Sequence, residues 1–184
     1  MSEIVFFLEE PSAEAMLQGL LPRLLQEGAR TRFVVFEGKQ DLEKQLVRKI
    51  RGYRGNARFI VLRDQDAGDC RIVKRRLVEK CAEAGKPDAL VRIACHELES
   101  WYLADLAAVE SGLGVKALVR LQNKNPYRAP DFWPVPSAQL SRIVPSYQKV
   151  GGSRAIGPYL DLENNRSKSF AVFVAGLRKL SAGT

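Results

Sequence analysis

The sequence predicts an α/β domain with a mostly parallel central sheet. Three observations support this fold class. Short apolar runs recur along the first half of the chain, and each is followed by a segment with the i, i+4 apolar spacing of an amphipathic helix. Glycine or proline separates most of these segments. The resulting order, β-α-β-α-β-α-β-α, needs crossover helices on both faces of the sheet, which is a three-layer arrangement.

Four apolar runs are the predicted strands of this sheet: Ile4–Leu8, Arg32–Phe36, Phe59–Leu62 and Leu90–Ala94. The segments between them are the predicted helices. They cover residues 11–28, 39–53, 70–84 and the stretch that turns helical over 95–105.

The chain changes character near residue 112. We expect residues 1–111 to form the α/β core and residues 112–184 to form a helical, proline-rich extension packed on it as part of one structural domain. Residues 123–136 contain four prolines, which exclude a continuous helix or a central strand. We predict an ordered excursion held in place by Tyr127, Phe132 and Trp133. Short helices are expected over 137–144, 154–160 and 167–180.

Composition narrows the class of protein. The chain has 184 residues, with 29 Lys and Arg against 21 Asp and Glu, so its formal charge is +8. This surplus favours an anionic partner such as nucleic acid. Cys70, Cys81 and Cys95 form no C-x-x-C pair, which favours reduced thiols over a zinc site or a disulfide framework. No signal peptide or apolar segment of ~20 residues is evident, so we expect a cytoplasmic protein without membrane contact.

Acidic residues follow three of the four predicted strands. Glu9 and Glu10 follow the first strand, Asp64 and Asp66 the third, and Glu97 and Glu99 the fourth. In extended backbone the carboxylates of Asp64 and Asp66 would leave on the same side, ~7 Å apart. Because parallel strands share one carboxyl edge, all these acids would converge if their strands are neighbours. Such a cluster of like charges favours a bound Mg²⁺ or Mn²⁺.

These acids are also compatible with roles other than metal binding. Asp and Gly also favour turns and helix caps, and Asp69 is placed to cap the helix that begins near Cys70. An EF-hand loop fits poorly, because a strand precedes the motif and Arg75 occupies its twelfth position. A receiver-type phosphoacceptor site needs a hydroxyl residue after the fourth strand, where this chain has Cys95, His96 and Glu97.

Four sequence blocks resemble a known pattern: LEEPSAE at 8–14, LRDQDAGDC at 62–70, HELESWYLAD at 96–105 and RSKSF at 166–170. Together they resemble the Toprim fold of topoisomerases, primases and OLD-type nucleases. They resemble more closely a family of small prokaryotic Toprim-like proteins of unknown function, often encoded beside ATPases in phage-defence or mobile loci. The resemblance covers most of the chain.

The resemblance implies roles for individual residues. Glu9 would serve as the general acid or base, and Asp64 and Asp66 would hold Mg²⁺. Independently of the resemblance, the chemistry of the residues allows Glu97 or Glu99 to bind a second metal or to orient the first through water, and the sequence does not separate Glu97 from Glu99. Toprim proteins usually have glycine after the first glutamate, where this chain has Glu10.

Several further residues are accessory candidates. Glu10 and Asp69 adjoin the acidic segments, and His96 either assists proton transfer or has a structural role. Lys149 and Arg154 flank Gly151–Gly152 and lie in either a phosphate-contacting loop or an ordinary turn. The basic runs over residues 44–54 and 74–80 are either solvated helix faces or phosphate-contacting surfaces.

These observations together predict a function. We expect Mg²⁺-dependent phosphodiester chemistry on nucleic acid, as a nuclease in a defence or mobile-element system. The alternative is a non-catalytic Toprim-like subunit that binds a partner ATPase or nucleic acid and whose acids are vestigial.

Overall fold

The computed structural model describes residues 3–182, which contain one sheet of four parallel strands in the order β2-β1-β3-β4. The strands are β1 (Glu3–Leu8), β2 (Thr31–Val35), β3 (Ala57–Asp64) and β4 (Leu90–Ala94). They are connected by α1 (Pro11–Leu20), α2 (Lys39–Gly52) and α3 (Cys70–Glu83). The predicted α/β class with a mostly parallel sheet is therefore confirmed.

Strand alternation sends side chains to two separate hydrophobic layers. Val5 and Phe7 of β1 face α2 and α3, where Leu46 and Leu77 are fully buried. The intervening β1 residues, Phe6 among them, face a larger core formed with α1 and the C-terminal helices. The central strand β1 is therefore apolar from Ile4 to Leu8 because both of its faces are covered.

Within the described residues, five α-helices follow β4. They are α4 (Glu99–Leu103), α5 (Leu106–Leu113), α6 (Pro136–Ile143), α7 (Lys149–Ile156) and α8 (Lys168–Ala182). Trp101 of α4 packs against Phe170 and Phe173 of α8, with ring centroids 5.1 and 5.0 Å apart. Complete burial of such large apolar side chains stabilises the fold by about 1.5–3 kcal/mol each. The helices beyond residue 112 thus share the core that covers one face of the sheet.

Three local expectations are corrected. Helix α1 ends at Leu20 and a 3₁₀ turn follows at Leu21–Arg23, because Pro22 cannot continue the helical hydrogen bonding. Residues 149–156 form helix α7 where a loop or turn was expected, so Gly151–Gly152 are helical. Phe132 is 86% exposed and does not hold the proline-rich segment in place, whereas Tyr127 is buried.

Among residues 3–182, the helices lack the combination of length and apolar character needed to cross a bilayer. The three cysteines are free thiols.

Candidate active site at the carboxyl edge of the sheet

The carboxyl ends of all four strands contribute to one cavity of about 360 Å³. Five acids at the ends of β1, β3 and β4 line it: Glu9, Glu10, Asp64, Asp66 and Glu97. The turn after β2 and helix α7 add other lining residues, among them Glu37, Lys39 and Lys149. The acids converge because β3 hydrogen-bonds to both β1 and β4, so that their ends lie side by side.

Glu9 is held by contacts with β3. Its Oε2 accepts a hydrogen bond of 3.1 Å from the backbone N–H of Asp64 and lies 3.7 Å from Nε of Arg63. Burial raises the pKa of Glu9 and the carboxylate of Asp66 raises it further, which outweighs the opposing effect of Arg63 and the Asp64 N–H. A glutamate with a raised pKa in a cavity is suited to proton transfer near neutral pH.

Arg63 occupies a buried position in β3, on the side of the sheet that faces α2. Besides Glu9, its guanidinium pairs with Glu43 of α2, and Arg76 of α3 lies 3.3 Å from the same Glu43. The cluster balances the charge of Arg63 inside the protein, since an unpaired buried charge is strongly unfavourable.

Asp64 belongs to a second group of acids on the opposite side of the sheet. Burial raises the pKa of Asp64 well above its usual range, and the carboxylates of Glu10, Glu99 and Glu9 add to the effect. Lys149 supplies the opposing charge, with its Nζ 2.7 Å from Oε2 of Glu10. Burial acts to lower the pKa of Lys149, but its acidic neighbours outweigh this and raise it.

Asp66 departs from the extended geometry assumed for the Asp-x-Asp motif. Strand β3 ends at Asp64, and Asp66 has φ of 56°, in the left-handed region that Asp tolerates better than most residues. The expectation that Asp64 and Asp66 leave one side of a strand is therefore wrong, although both line the cavity. The Asp66 carboxylate lies 2.8 Å from Nζ of Lys39, which raises the pKa of that lysine.

Lys39 reaches Asp66 because the chain turns sharply after β2. Gly38 has φ of 94°, a conformation that favours glycine, and its N–H donates to the carbonyl of Glu9 at 3.0 Å. Helix α2 begins at the next residue, Lys39, and the Lys39 side chain therefore lies at the carboxyl edge of the sheet.

The chemistry of these side chains fits a hard cation. Carboxylate oxygens are the ligands that Mg²⁺ prefers, and one or two carboxylates with water and phosphate commonly suffice. Burial, with a contribution from neighbouring carboxylates, raises the pKa of Asp64 and of Glu9, and a bound cation would favour their ionised forms. Within residues 3–182, however, no three His, Cys, Asp or Glu side chains are grouped as ligands of one ion. The ammonium groups of Lys39 and Lys149 pair with two of the acids instead.

Comparison with known proteins places the chain in a family. The model of a domain of unknown function (DUF4276) matches residues 8–178. The chain belongs to the DUF4276 family. No match is found among curated proteins.

Two solved structures share the fold of this DUF4276 chain. The C-terminal region of the Burkholderia pseudomallei OLD protein has a TM-score of 0.55 and 15% sequence identity, and the match covers 98% of this chain and 99% of that one. The C-terminal region of the Xanthomonas campestris pv. campestris OLD protein has a TM-score of 0.52 and 15% identity, with 99% and 97% covered. The resemblance to the Toprim fold of OLD-type proteins is therefore confirmed at the level of the fold.

The structure of the DUF4276 chain separates the two glutamates after β4. Glu97 lines the cavity, and its Oε2 accepts a 2.6 Å hydrogen bond from the Ser137 N–H at the start of α6. Glu99 is the first residue of α4 and is fully buried, with its Oε1 3.0 Å from the donating hydroxyl of Tyr147. Glu99 is not among the residues that line the cavity, but its carboxylate contributes to the raised pKa of Asp64.

The remaining candidate residues lie outside the cavity. Asp69 caps helix α3, accepting from the N–H groups of Arg71 and Ile72, so the predicted cap is confirmed. The Nδ1 of His96 lies 2.9 Å from the Asp66 carbonyl, and its ring lines a different cavity. Arg154 is exposed in the last turn of α7. These positions favour structural roles for Asp69 and His96.

Sequence reasoning missed Lys39 and Arg63. Lys39 is not acidic and begins helix α2 four residues after the end of β2, so a pattern of acids at strand ends does not include it. Arg63 interrupts an otherwise apolar strand, and a charge in a buried strand needs a partner. The signal at Arg63 was present in the sequence.

Proposed function

We propose that this protein cleaves phosphodiester bonds in nucleic acid with the aid of Mg²⁺ or Mn²⁺, as part of a phage-defence or mobile-element system. One observation carries the proposal: acids from the ends of three strands and lysines from two further elements line a single cavity. The net charge of +8 supports a polyanionic substrate.

Asp64 and Asp66 are the residues that would hold the metal, with Glu97 as a further ligand or as the residue that orients a bound water. Mg²⁺ would neutralise charge on the phosphoryl oxygens and lower the pKa of a bound water. Glu99 would support the site electrostatically, through its charge next to Asp64.

Glu9 is the proposed proton-transfer residue. Its raised pKa keeps a fraction of the carboxyl groups protonated closer to neutral pH, and the Arg63 guanidinium and the Asp64 N–H fix its orientation. Lys39 and Lys149 are the proposed phosphate contacts, since each ammonium lies at the cavity and can exchange a carboxylate for a phosphate oxygen. Arg154, exposed on the same helix as Lys149, would contact a more distant phosphate.

A second candidate function is a non-catalytic subunit that binds a partner ATPase or nucleic acid. The observation that favours it is the pairing of Lys39 with Asp66 and of Lys149 with Glu10, which neutralises these acids without a metal. Glu10 also stands where Toprim proteins usually have glycine. The ATPase partner rests on the resemblance to Toprim-like proteins encoded beside ATPases.

Metal-dependent cleavage tests the proposal directly. Supercoiled plasmid and labelled oligonucleotides are incubated with the protein and Mg²⁺, Mn²⁺ or EDTA. We expect cleavage with metal, and its loss in the variants Asp64→Asn and Glu9→Gln. The matched control is Glu163→Gln, which removes an exposed acid paired with Arg178.

The two functions give different outcomes. Cleavage by the wild type and the control, but not by the site variants, supports the nuclease. Binding of nucleic acid with no metal-dependent cleavage, or equal traces of cleavage in all four proteins, overturns it in favour of the non-catalytic subunit.

A further inference from the structure

A second cavity of about 500 Å³ lies beside β4, at the edge of the sheet. It is bounded by the first turns of α3 and α8, by β4 and by the 3₁₀ turn at Pro130–Phe132. We call it the β4 groove. Its apolar residues include Val91, Ile93 and Val172. A flat apolar group could therefore be accommodated there.

The rim of the β4 groove is cationic. Arg71 and Lys74 of α3 and Lys168 of α8 are exposed on it, and Asp131 is the one carboxylate among its lining residues. Arg92 also lines the groove but is held by the carbonyls of Val91 and Val172. The surplus of positive charge on the rim favours an anionic occupant of the groove.

Phe132 gives the groove an aromatic platform. Its side chain is 86% exposed, as single apolar residues on protein surfaces often are. Its turn, however, is anchored: Pro130 is buried, and Asp131 accepts a 2.9 Å hydrogen bond from the Ser169 N–H of α8. An exposed aromatic ring on an anchored turn, next to exposed cations, is the arrangement that stacks a nucleobase while its phosphates bind the cations.

The β4 groove adjoins the acidic cavity. Asp66 lines the acidic cavity, while its neighbour Gln65 and its hydrogen-bonded partner His96 line the groove. The wall between the two is therefore the Asp66–His96 pair, joined by bonds of 2.9 Å in each direction. A polynucleotide strand that crosses this wall would occupy both cavities.

We infer that the β4 groove binds an unpaired nucleobase and its flanking phosphates, so that the substrate is single-stranded or locally unpaired nucleic acid. The inference rests on the proposed function for the identity of the ligand. An unpaired base is required because Phe132 can stack only on a base whose face is free.

Binding without cleavage tests the inference. Fluorescence anisotropy is measured in EDTA with the Asp64→Asn protein as background, using dT₁₂, rU₁₂ and a duplex of equal length. We expect both single strands to bind more tightly than the duplex. Adding Phe132→Ala should weaken single-strand binding by about 5- to 150-fold, the effect of removing one stacked base, and Phe132→Trp should retain it. Tyr159→Ala, which removes an exposed aromatic ring from another turn, should change nothing.

The cations are tested through salt dependence. Lys168→Gln should reduce the slope of log K against log salt concentration by about 0.7, the value for one phosphate contact with a single strand. Lys179→Gln, at the other end of the same helix, should leave the slope unchanged.

The outcomes separate this inference from the proposed function. Equal binding by Phe132→Ala and Tyr159→Ala, or equal affinity for duplex and single strands, overturns the inference, and a protein strand pairing with the β4 edge becomes the better occupant. Phe132-dependent binding by a wild type that never cleaves supports the inference and overturns the nuclease. Metal-dependent cleavage together with binding that does not depend on Phe132 supports the nuclease and overturns the inference about the β4 groove.

Discussion

Glu9 and Glu10 are adjacent in the chain, yet they contact two different cations on opposite sides of the sheet. Glu9 lies 3.7 Å from Arg63, in the layer with α2 and α3, whereas Glu10 lies 2.7 Å from Lys149 of α7. Both residues follow β1, which ends at Leu8, and the backbone at Glu10 is still extended, so the alternation of side chains between the two layers continues past the strand. The acidic cavity is thus assembled from two halves that meet at the carboxyl edge, one containing Arg63 and the other Lys149.

Replacing Asp64 by Asn should stabilise the metal-free protein. The folded-state pKa of Asp64 is raised, so the folded protein retains a proton that the unfolded chain has already released above about pH 4. Stability therefore falls as pH rises from the unfolded pKa to the folded one, and the penalty is complete above it. Asn removes the penalty. Each kcal/mol regained should raise the melting temperature by roughly 2–4 °C.

Thermal unfolding in EDTA between pH 4 and pH 8, with cleavage assayed in parallel, checks this expectation for Asp64→Asn. The gain in melting temperature should grow with pH and nearly vanish at pH 4. Asp88→Asn, which neutralises an exposed aspartate, should show no such trend. A variant that melts below the wild type at every pH would contradict the account of Asp64.

Replacing Arg63 by Met should affect both stability and proton transfer. Glu9 and Glu43 would lose a buried partner, which costs roughly 3 kcal/mol or more when one member of a buried ion pair is removed. Because Arg63 lowers the pKa of Glu9, its loss should shift to higher pH whichever limb of the cleavage rate profile depends on Glu9. Urea unfolding and the pH dependence of kcat/KM measure the two effects.

Arg76→Met is the matched control for Arg63. Arg76 contacts the same Glu43 at 3.3 Å, but its side chain is 54% exposed. We expect a loss of at most about 1 kcal/mol and an unchanged pH profile. Arg63→Lys keeps the charge and should retain the profile. Equal shifts in the Arg63→Met and Arg76→Met profiles would show that Arg63 does not tune Glu9.

Replacing Lys149 by Met should increase the response of the protein to metal. The ammonium of Lys149 opposes the charges of Glu10, Glu99 and Asp64, and no cation replaces it in EDTA. We expect a lower melting temperature in EDTA and a larger rise on addition of Mn²⁺ than in the wild type, because a ligand stabilises the state that it binds. Lys44→Met, on the exposed face of α2, is the control. An equal rise in melting temperature with Mn²⁺ in all three proteins would show that Lys149 does not influence metal binding.

Hydrophobic periodicity was sufficient to predict the sheet and its four strands. Buried strands such as β1 and β3 are apolar on both faces, so they stand out as continuous runs such as Phe59–Leu62. Convergence of the acids followed from a general property of parallel sheets, the shared carboxyl edge. Both inferences needed only local sequence and one rule of topology.

The details of the site needed tertiary information. The left-handed conformation of Asp66 is set by its bonds to His96, which lies 30 residues later in the chain. The distinction between Glu97 and Glu99 depends on where α4 begins and on Tyr147, a residue that joins the site only through packing of α7. Local sequence carries no signal for either contact.

Helix α7 is another feature that local sequence did not predict, and its residues Gly151 and Gly152 provide a matched pair of variants. The sequence Gly151–Gly152 favours a loop, but the chain is helical there and packing requires a small residue at Gly152. A Cβ built on Gly152 would lie 2.3 Å from the ring of Tyr147, whereas one on Gly151 would have no neighbour closer than 4.0 Å. Gly152 is therefore needed for the close approach of Tyr147, and Gly151 is not.

Gly152→Ala should lower the free energy of unfolding by roughly 1–3 kcal/mol, the usual effect of overpacking a well-packed position. It should also weaken cleavage, because the Tyr147 ring that it displaces donates to Glu99, and α7 carries Lys149. Gly151→Ala should instead stabilise the protein by up to about 1 kcal/mol through helix propensity, with cleavage unchanged. Urea unfolding midpoints and cleavage rates compare the two. If the two alanines had equal midpoints and equal rates, the contact between Gly152 and Tyr147 would not be what positions α7 at the cavity.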